Sequence, residues 1–197
     1  MRKVILLMQM TLDGFVAGEN DELDWLVNEE DQWKDLFETL KSADTFLLGR
    51  VMYPGYANYW RGALANPAAK KNETKFARIA EKTRHIVFSR TMKKADWENT
   101  MVERGDVSEA VGKLKQQAGK NMIVWGGASF ASSLIGLGLV DEYRLLVNPL
   151  ILGKGKPLFR GIDDRRRLKL VETKMFKSGV VLLHYKALKQ QNKKIIR

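Results

Sequence analysis

Asn121-Met122-Ile123-Val124-Trp125-Gly126-Gly127-Ala128-Ser129-Phe130 reads as a buried strand that runs into two glycines and then a helix. A second apolar strand follows, from Leu139-Val140-Asp141-Glu142-Tyr143 to Pro149-Leu150-Ile151-Leu152-Gly153. A strand, a glycine turn and a helix in succession offer backbone amides to a bound phosphate, which marks an α/β protein. The missing side chains of Gly126 and Gly127 let a ligand approach the backbone, while Ala128 and Ser129 open the helix and Ser129 adds a hydroxyl. Tight packing of helix on strand produces the same pattern. The segment is not a dinucleotide fingerprint, because no third glycine follows at the required spacing, and no Gly-Lys-Ser/Thr closes it as a P-loop. Gly127-Ala128-Ser129-Phe130-Ala131 falls one residue short of a nucleophile elbow.

Working outward, the same kind of junction recurs. Thr45-Phe46-Leu47-Leu48 ends in Gly49-Arg50, and His85-Ile86-Val87-Phe88 ends in Ser89-Arg90-Thr91. Cations at strand exits suit a phosphate, since a guanidinium pairs with it in two places at once. The first strand, Val4-Ile5-Leu6-Leu7-Met8, leads to Thr11-Leu12-Asp13-Gly14, where Asp13 is the best acid candidate and also a common turn residue. Trp25, Leu26, Trp33, Leu36, Phe37 and Leu40 stand at helical spacing and predict a core-facing helix over 24–41. Pro54-Gly55 bends or shortens a helix that opens near Val51, and further helices are expected over 75–82 and 107–118. Two alternating segments, 168–176 and 180–185, flank the turn Lys177-Ser178-Gly179 as a hairpin. The order predicts a mostly parallel sheet between layers of helices, with an antiparallel C-terminal edge.

The 197 residues suit one domain over 1–186 followed by a basic tail over 187–197. Without cysteine, thiolate catalysis, cysteine-ligated metals and disulfides are excluded, and no metal site is expected. The net charge of +11 is scattered apart from Arg165-Arg166-Arg167 and the tail, and no aromatic-interleaved basic stripe accompanies it, so nucleic acid is not the expected partner. No stretch resembles a signal peptide or membrane span, which predicts a soluble, cytoplasmic protein. His85 and His184 sit within strand patterns and read as structural. Tyr53, Tyr56, Tyr59 and Trp60 form an aromatic cluster suited to core packing or to stacking on a flat ring.

Taken together, five motifs make the chain resemble the dihydrofolate reductase fold, and more closely the C-terminal reductase domain of the bifunctional riboflavin-biosynthesis deaminase-reductases. They are residues 11–18, 43–50, 87–91, 124–127 and 138–142, in the family's order. The resemblance implies a three-layer α/β/α fold, NADPH as hydride donor, and often a homodimer. Gly49, Arg50, Ser89 and Arg90 then take the adenosine-phosphate contacts, and Gly126, Gly127, Ala128 and Ser129 those of the pyrophosphate. Met10, Val16 and Ala17 would border the nicotinamide, with Asp13 near the substrate side as the proton source. Tyr53 and Trp125 would face a pterin-like or aminopyrimidine-like substrate. Two departures stand out. Trp125 replaces the glutamate that usually precedes the paired glycines, and Met52 replaces a threonine of the Gly-Arg-x-Thr-Tyr motif. Asp24, Glu29, Glu30, Asp31 and Asp35 all compete for the helical carboxylate that dihydrofolate reductase turns toward its pterin. The expected activity is NADPH-dependent reduction of a small heterocycle or carbonyl compound, resembling that of the pyrimidine reductase, 5-amino-6-(5-phosphoribosylamino)uracil reductase. The alternative is a non-catalytic nucleotide- or flavin-binding module.

Overall fold

The computed structural model describes residues 1–188. β1 (Val4–Thr11) is followed by β2 (Phe15–Ala17), α1 (Glu30–Lys41), β3 (Ala43–Gly49), α2 (Tyr53–Ala65), α3 (Lys71–Lys82), β4 (Arg84–Phe88) and β5 (Thr100–Glu103). Then come α4 (Val107–Gln116), β6 (Asn121–Gly126), α5 (Ala128–Gly136), β7 (Glu142–Asn148), β8 (Lys156–Pro157), β9 (Leu168–Met175) and β10 (Val181–Ala187). Eight strands form one sheet in the order β5-β4-β3-β6-β1-β7-β10-β9, while β2 pairs only with β8. β5 to β7 run parallel, and β10 and β9 close the edge antiparallel. This is the mixed, helix-flanked sheet that the sequence predicts.

Both faces are covered, as a mainly parallel sheet requires. Leu6, Leu47, Met122 and Val124 pack with α4 and α5 through Val111, Leu114, Ala131 and Leu134. Ile5, Phe46, Leu48 and Ile123 pack on the other face with Phe37, Leu40, Tyr56 and Phe76 from α1, α2 and α3. Removing each such large side chain from water contributes about 1.5–3 kcal/mol. α1 carries β1 toward β3 on one face, and α5 carries β6 toward β7 on the other. Neighbouring β6 and β1 therefore send their connections in opposite directions, the arrangement that puts a binding crevice at the carboxyl ends of such a sheet.

Three sequence expectations need correction. The helix expected over 24–41 begins only at Glu30, because Glu29 and Gln32 cap it reciprocally, the Glu29 amide donating to Gln32 Oε1 at 2.7 Å. Trp25 and Leu26 instead lie around a turn that the Leu26 amide closes on the Leu23 carbonyl. Pro54 does not bend its helix but starts it, occupying the first turn where an absent N–H costs nothing. The sequence does not anticipate the strands β2, β5 and β8, which are only two to four residues long. Of the basic tail expected over 187–197, Ala187 completes β10 and the Leu188 amide bonds to the Arg167 carbonyl, while 189–197 lie outside the described residues. No helix among the described residues is long and apolar enough to cross a membrane, and no group of acidic or histidine side chains there is arranged to hold a metal ion.

Candidate functional site

Five adjacent parallel strands, β4, β3, β6, β1 and β7, deliver their exits to one edge of the sheet. Ser89-Arg90, Gly49-Arg50, Gly126-Gly127, Thr11-Asp13 and Asn148-Pro149 therefore stand in a row, although they are scattered over the sequence.

On the β4–β3–β6 side the exits meet backbone to backbone. A side-chain carbon at Gly49 would lie 2.7 Å from Phe130 Cβ, and one at Gly127 would lie 3.7 Å from Gly49 Cα. Gly126 and Gly127 adopt φ of +131° and +83°, which side chains resist, and a carbon added at Gly126 would lie 2.7 Å from Met52 Sδ. Met52, where the resemblance leads one to expect threonine, thus closes over Gly126 by packing. The glycines serve both readings of the motif: they let α5 pack against β3, and they aim its first turn at the carboxyl edge. Gly127 is the N-cap of the nine-residue α5 and supplies no side-chain cap, so the leading amides around Ala128 and Ser129 have no helical partner. Ser129 is exposed, as are Arg50 and Arg90. Ser89 is buried, and its Oγ accepts from the Thr91 and Met92 amides at 3.2 and 2.8 Å, which turns the chain so that Arg90 projects outward.

The β1–β7 side is tied to itself. The Asp13 carboxylate accepts from the Thr11 hydroxyl at 2.6 Å and from the Leu152 and Gly153 amides at 3.1 and 2.8 Å. The Thr11 hydroxyl first, then these amides, hold Asp13 below the usual carboxylate range. Asp13 is thus a fixed anion pinning the turn after β1 to the loop after β7. The carboxylate that the sequence offers for proton delivery is therefore engaged at both of its oxygens. Met10, Val16 and Ala17 are buried, so the segment they share with β2 forms a wall rather than a set of free side chains. Asn148, 1% exposed, donates from Nδ2 to Gln9 Oε1 and to the Met10 and Leu146 carbonyls, and accepts the Val27 amide on Oδ1. Gln9 Nε2 in turn donates to Asn28 Oδ1 at 2.8 Å. Sequence reasoning missed Gln9, Asn28 and Asn148; the only signal was a polar residue, Asn148, ending an apolar strand just before proline.

Between the two sides stands Trp125, partly exposed, stacked on Phe76 at 4.8 Å and on Phe46 at 5.6 Å between ring centres. Tyr53, expected to face a substrate, is 2% exposed, and its hydroxyl accepts the Trp97 amide at 3.0 Å. That correction follows from Tyr53 standing on the inner face of the first turn of α2. Tyr56 and His85 complete the same interior, the Tyr56 hydroxyl lying 3.0 Å from His85 Nε2. Burial pushes the His85 imidazole down to about 4, so it is neutral and structural, as read from sequence. A polar cleft of about 410 Å³ near the amino ends of β1, β6 and β7 is lined by Lys3, Asp35, Glu142, Arg144 and Glu172. Its charges pair with one another, Asp35 with Arg144 at 2.8 Å and Glu142 with Lys3 at 2.8 Å, and it lies far from the strand exits.

The sequence model of the RibD C-terminal domain matches residues 2–182. Uncharacterized protein YyaP of Bacillus subtilis is 36% identical over 184 residues, covering 93% of this chain and 94% of YyaP. A putative riboflavin biosynthesis protein from Shewanella sp. PV-4 superposes with a TM-score of 0.74 at 17% identity, over 94% of this chain and 99% of that one. A Thermotoga maritima diaminohydroxyphosphoribosylaminopyrimidine deaminase/5-amino-6-(5-phosphoribosylamino)uracil reductase gives 0.67 at 18% identity, over 95% of this chain but 57% of that one. Enterococcus faecalis dihydrofolate reductase, complexed with NADP(H), gives 0.60 at 16% identity, over 94% and 96%. The fold is dihydrofolate reductase-like.

Proposed function

This chain belongs to the RibD C-terminal domain family, and from that premise we propose that it is an NADPH-dependent reductase of a small planar acceptor. The observation that carries the proposal is the alignment of three phosphate-competent exits on adjacent strands: Ser89-Arg90, Gly49-Arg50 and Gly126-Gly127 leading into α5. Exposed guanidiniums and uncapped helix amides suit a doubly phosphorylated ligand in a way that buried or paired groups would not. The residues present therefore fit a phosphorylated dinucleotide. Arg50 and Arg90 would hold its adenosine phosphate, the outward-turned Ser89 loop would shape that pocket, and the amides of Ala128 and Ser129 would receive its pyrophosphate. When bound, the reduced nicotinamide supplies the hydride.

The chain's own contribution is placement. Trp125 and the β1 segment ending at Met10 flank the crevice, and Asp13 holds the turn after β1 against the loop after β7, which keeps that wall fixed while the acceptor binds. With both Asp13 oxygens engaged, the proton would reach the product from water.

The engagement of Asp13 also supports a second reading, a binding module that keeps the fold and holds a nucleotide or flavin without turnover. Spectrophotometric NADPH oxidation across aromatic ketones, pterins and aminopyrimidines separates the two. Acceptor-dependent oxidation above the background rate supports the reductase, whereas saturable NADPH binding with no acceptor-dependent oxidation supports the module. The homodimer expected from the resemblance belongs to this proposal, and sedimentation equilibrium tests it.

A further inference from the structure

We infer that the acceptor is an uncharged, planar carbonyl compound held by the Gln9 amide against an aromatic wall of Trp125 and Trp33. The inference rests on the reductase reading above and narrows its substrate class.

Strand alternation places the groups. Ile5, Leu7 and Gln9 project from the same face of β1, and Ile5 and Leu7 pack with Ile123, Trp33 and Trp125. Leu6 pairs with Val124 in the β1–β6 register, so Leu7 stands beside Trp125 and Gln9 lies one step beyond, past the last residue of β6. Asn148 holds Gln9 Oε1, and Asn28 takes one N–H of its Nε2, which leaves the second N–H as a donor at the mouth of the crevice. The side chains on this face are aromatic: Trp125 stacks on Phe76 and Phe46 with its ring within 18° of both, and Trp33 stacks on Phe37. A planar ring lies on such a wall, and one carbonyl oxygen at its edge satisfies the free amide hydrogen.

The carboxylates argue against the other acceptor class. A heterocycle that must carry a proton on nitrogen before hydride arrives needs a buried anion beside it, because a cation removed from water without one is strongly disfavoured. The four acids from Glu29 to Asp35, at the start of α1, each hold a partner of their own. Asp35 pairs with Arg144 and Lys174, Glu29 accepts the Ser178 amide, Glu30 accepts from Asn72, and Asp31 pairs with Lys34. Asp24 is exposed in the turn before the helix. Trp125 fills the position before the paired glycines. With a bound reduced nicotinamide as the hydride source, the carbonyl carbon would gain the hydride and the C=O π pair would move to oxygen. The oxygen then takes a proton from water. The products would be an alcohol, the oxidised nicotinamide and the hydroxide left by the water.

The test measures NADPH affinity by equilibrium titration separately from steady-state turnover of isatin, a neutral planar dione, and of 7,8-dihydropterin, an imine. The wild type is expected to show kcat/KM for isatin at least about tenfold above that for dihydropterin. Gln9→Leu should raise KM for isatin about tenfold with NADPH affinity unchanged. Gln9→Glu keeps an acceptor for Asn148 but replaces the donor by an anion; it should reverse the preference, and it carries the test if Gln9→Leu does not fold. Saturable NADPH binding with dihydropterin preferred, with neither compound reduced, or with the isatin KM unmoved by both variants overturns this inference and leaves the cofactor reading standing. No NADPH binding at all overturns both.

Discussion

The carboxyl edge of the sheet has two halves that use their polar groups in opposite ways. From β4 to β6 the exits turn theirs outward, apart from the buried Ser89: Arg50, Arg90 and Ser129 are exposed, and the first amides of α5 have no side-chain cap. From β1 to β7 the polar groups bind each other: Asp13 is held by three donors, and Asn148 joins Gln9, Met10, Leu146 and Val27. Open donors at strand and helix ends suit a charged ligand, whereas a closed network suits a rigid wall. The difference teaches that a carboxylate at a strand exit need not be catalytic; its partners decide.

If the closed half is a rigid wall, removing its hub should cost most. Asn148→Leu leaves the Val27 amide and two buried carbonyls without their partner, and a loss of roughly 3 kcal/mol is expected in urea denaturation. A loss below about 1 kcal/mol would show that the network is not what closes this half. His85 sharpens the contrast from the interior. Its folded-state value of about 4 lies below the ordinary 6.5, so the unfolded chain takes up a proton first as pH falls. Stability should be full above pH 6.5 and decline by up to about 3 kcal/mol toward pH 4, and His85→Phe should flatten that part of the profile. In the open half, Arg50→Ala and Arg90→Ala should each weaken NADPH binding by about tenfold, more steeply at low salt, with melting temperature nearly unchanged because both side chains are exposed. The smallest effect is expected at Asp13. Asp13→Asn keeps an acceptor for one of the Leu152 and Gly153 amides and the shape of the side chain, so turnover should fall by less than about tenfold, whereas loss of a true proton donor costs about 10²–10⁴.

Sequence made the open half legible because each of its parts is local. A strand's apolar run, its terminal glycine and the cation or helix after it are consecutive, as in Leu47-Leu48-Gly49-Arg50 and Val124-Trp125-Gly126-Gly127. The parallel order of the sheet then follows from the alternation of strands with helices. The closed half was not legible because its contacts join residues far apart: Asp13 to Gly153, Gln9 to Asn148, Glu29 to Ser178. Asp13 has the same neighbours in sequence whether it serves as an acid or as an anchor. Trp25 and Leu26 misled for a related reason, since their spacing is helical while the Glu29–Gln32 caps, set by backbone geometry, start the helix after them. Tyr53 belongs to an aromatic cluster whose orientation depends on where Pro54 starts α2.

The central claim is that the open half is a dinucleotide-phosphate site. Equilibrium titration of the wild type and of the Arg50→Ala/Arg90→Ala double variant with NADPH, followed by NADPH fluorescence, tests it most directly. The wild type should bind saturably, and the double variant about 100-fold more weakly if the two contacts act independently. No saturable binding to the wild type, or equal affinity in the double variant, would contradict it.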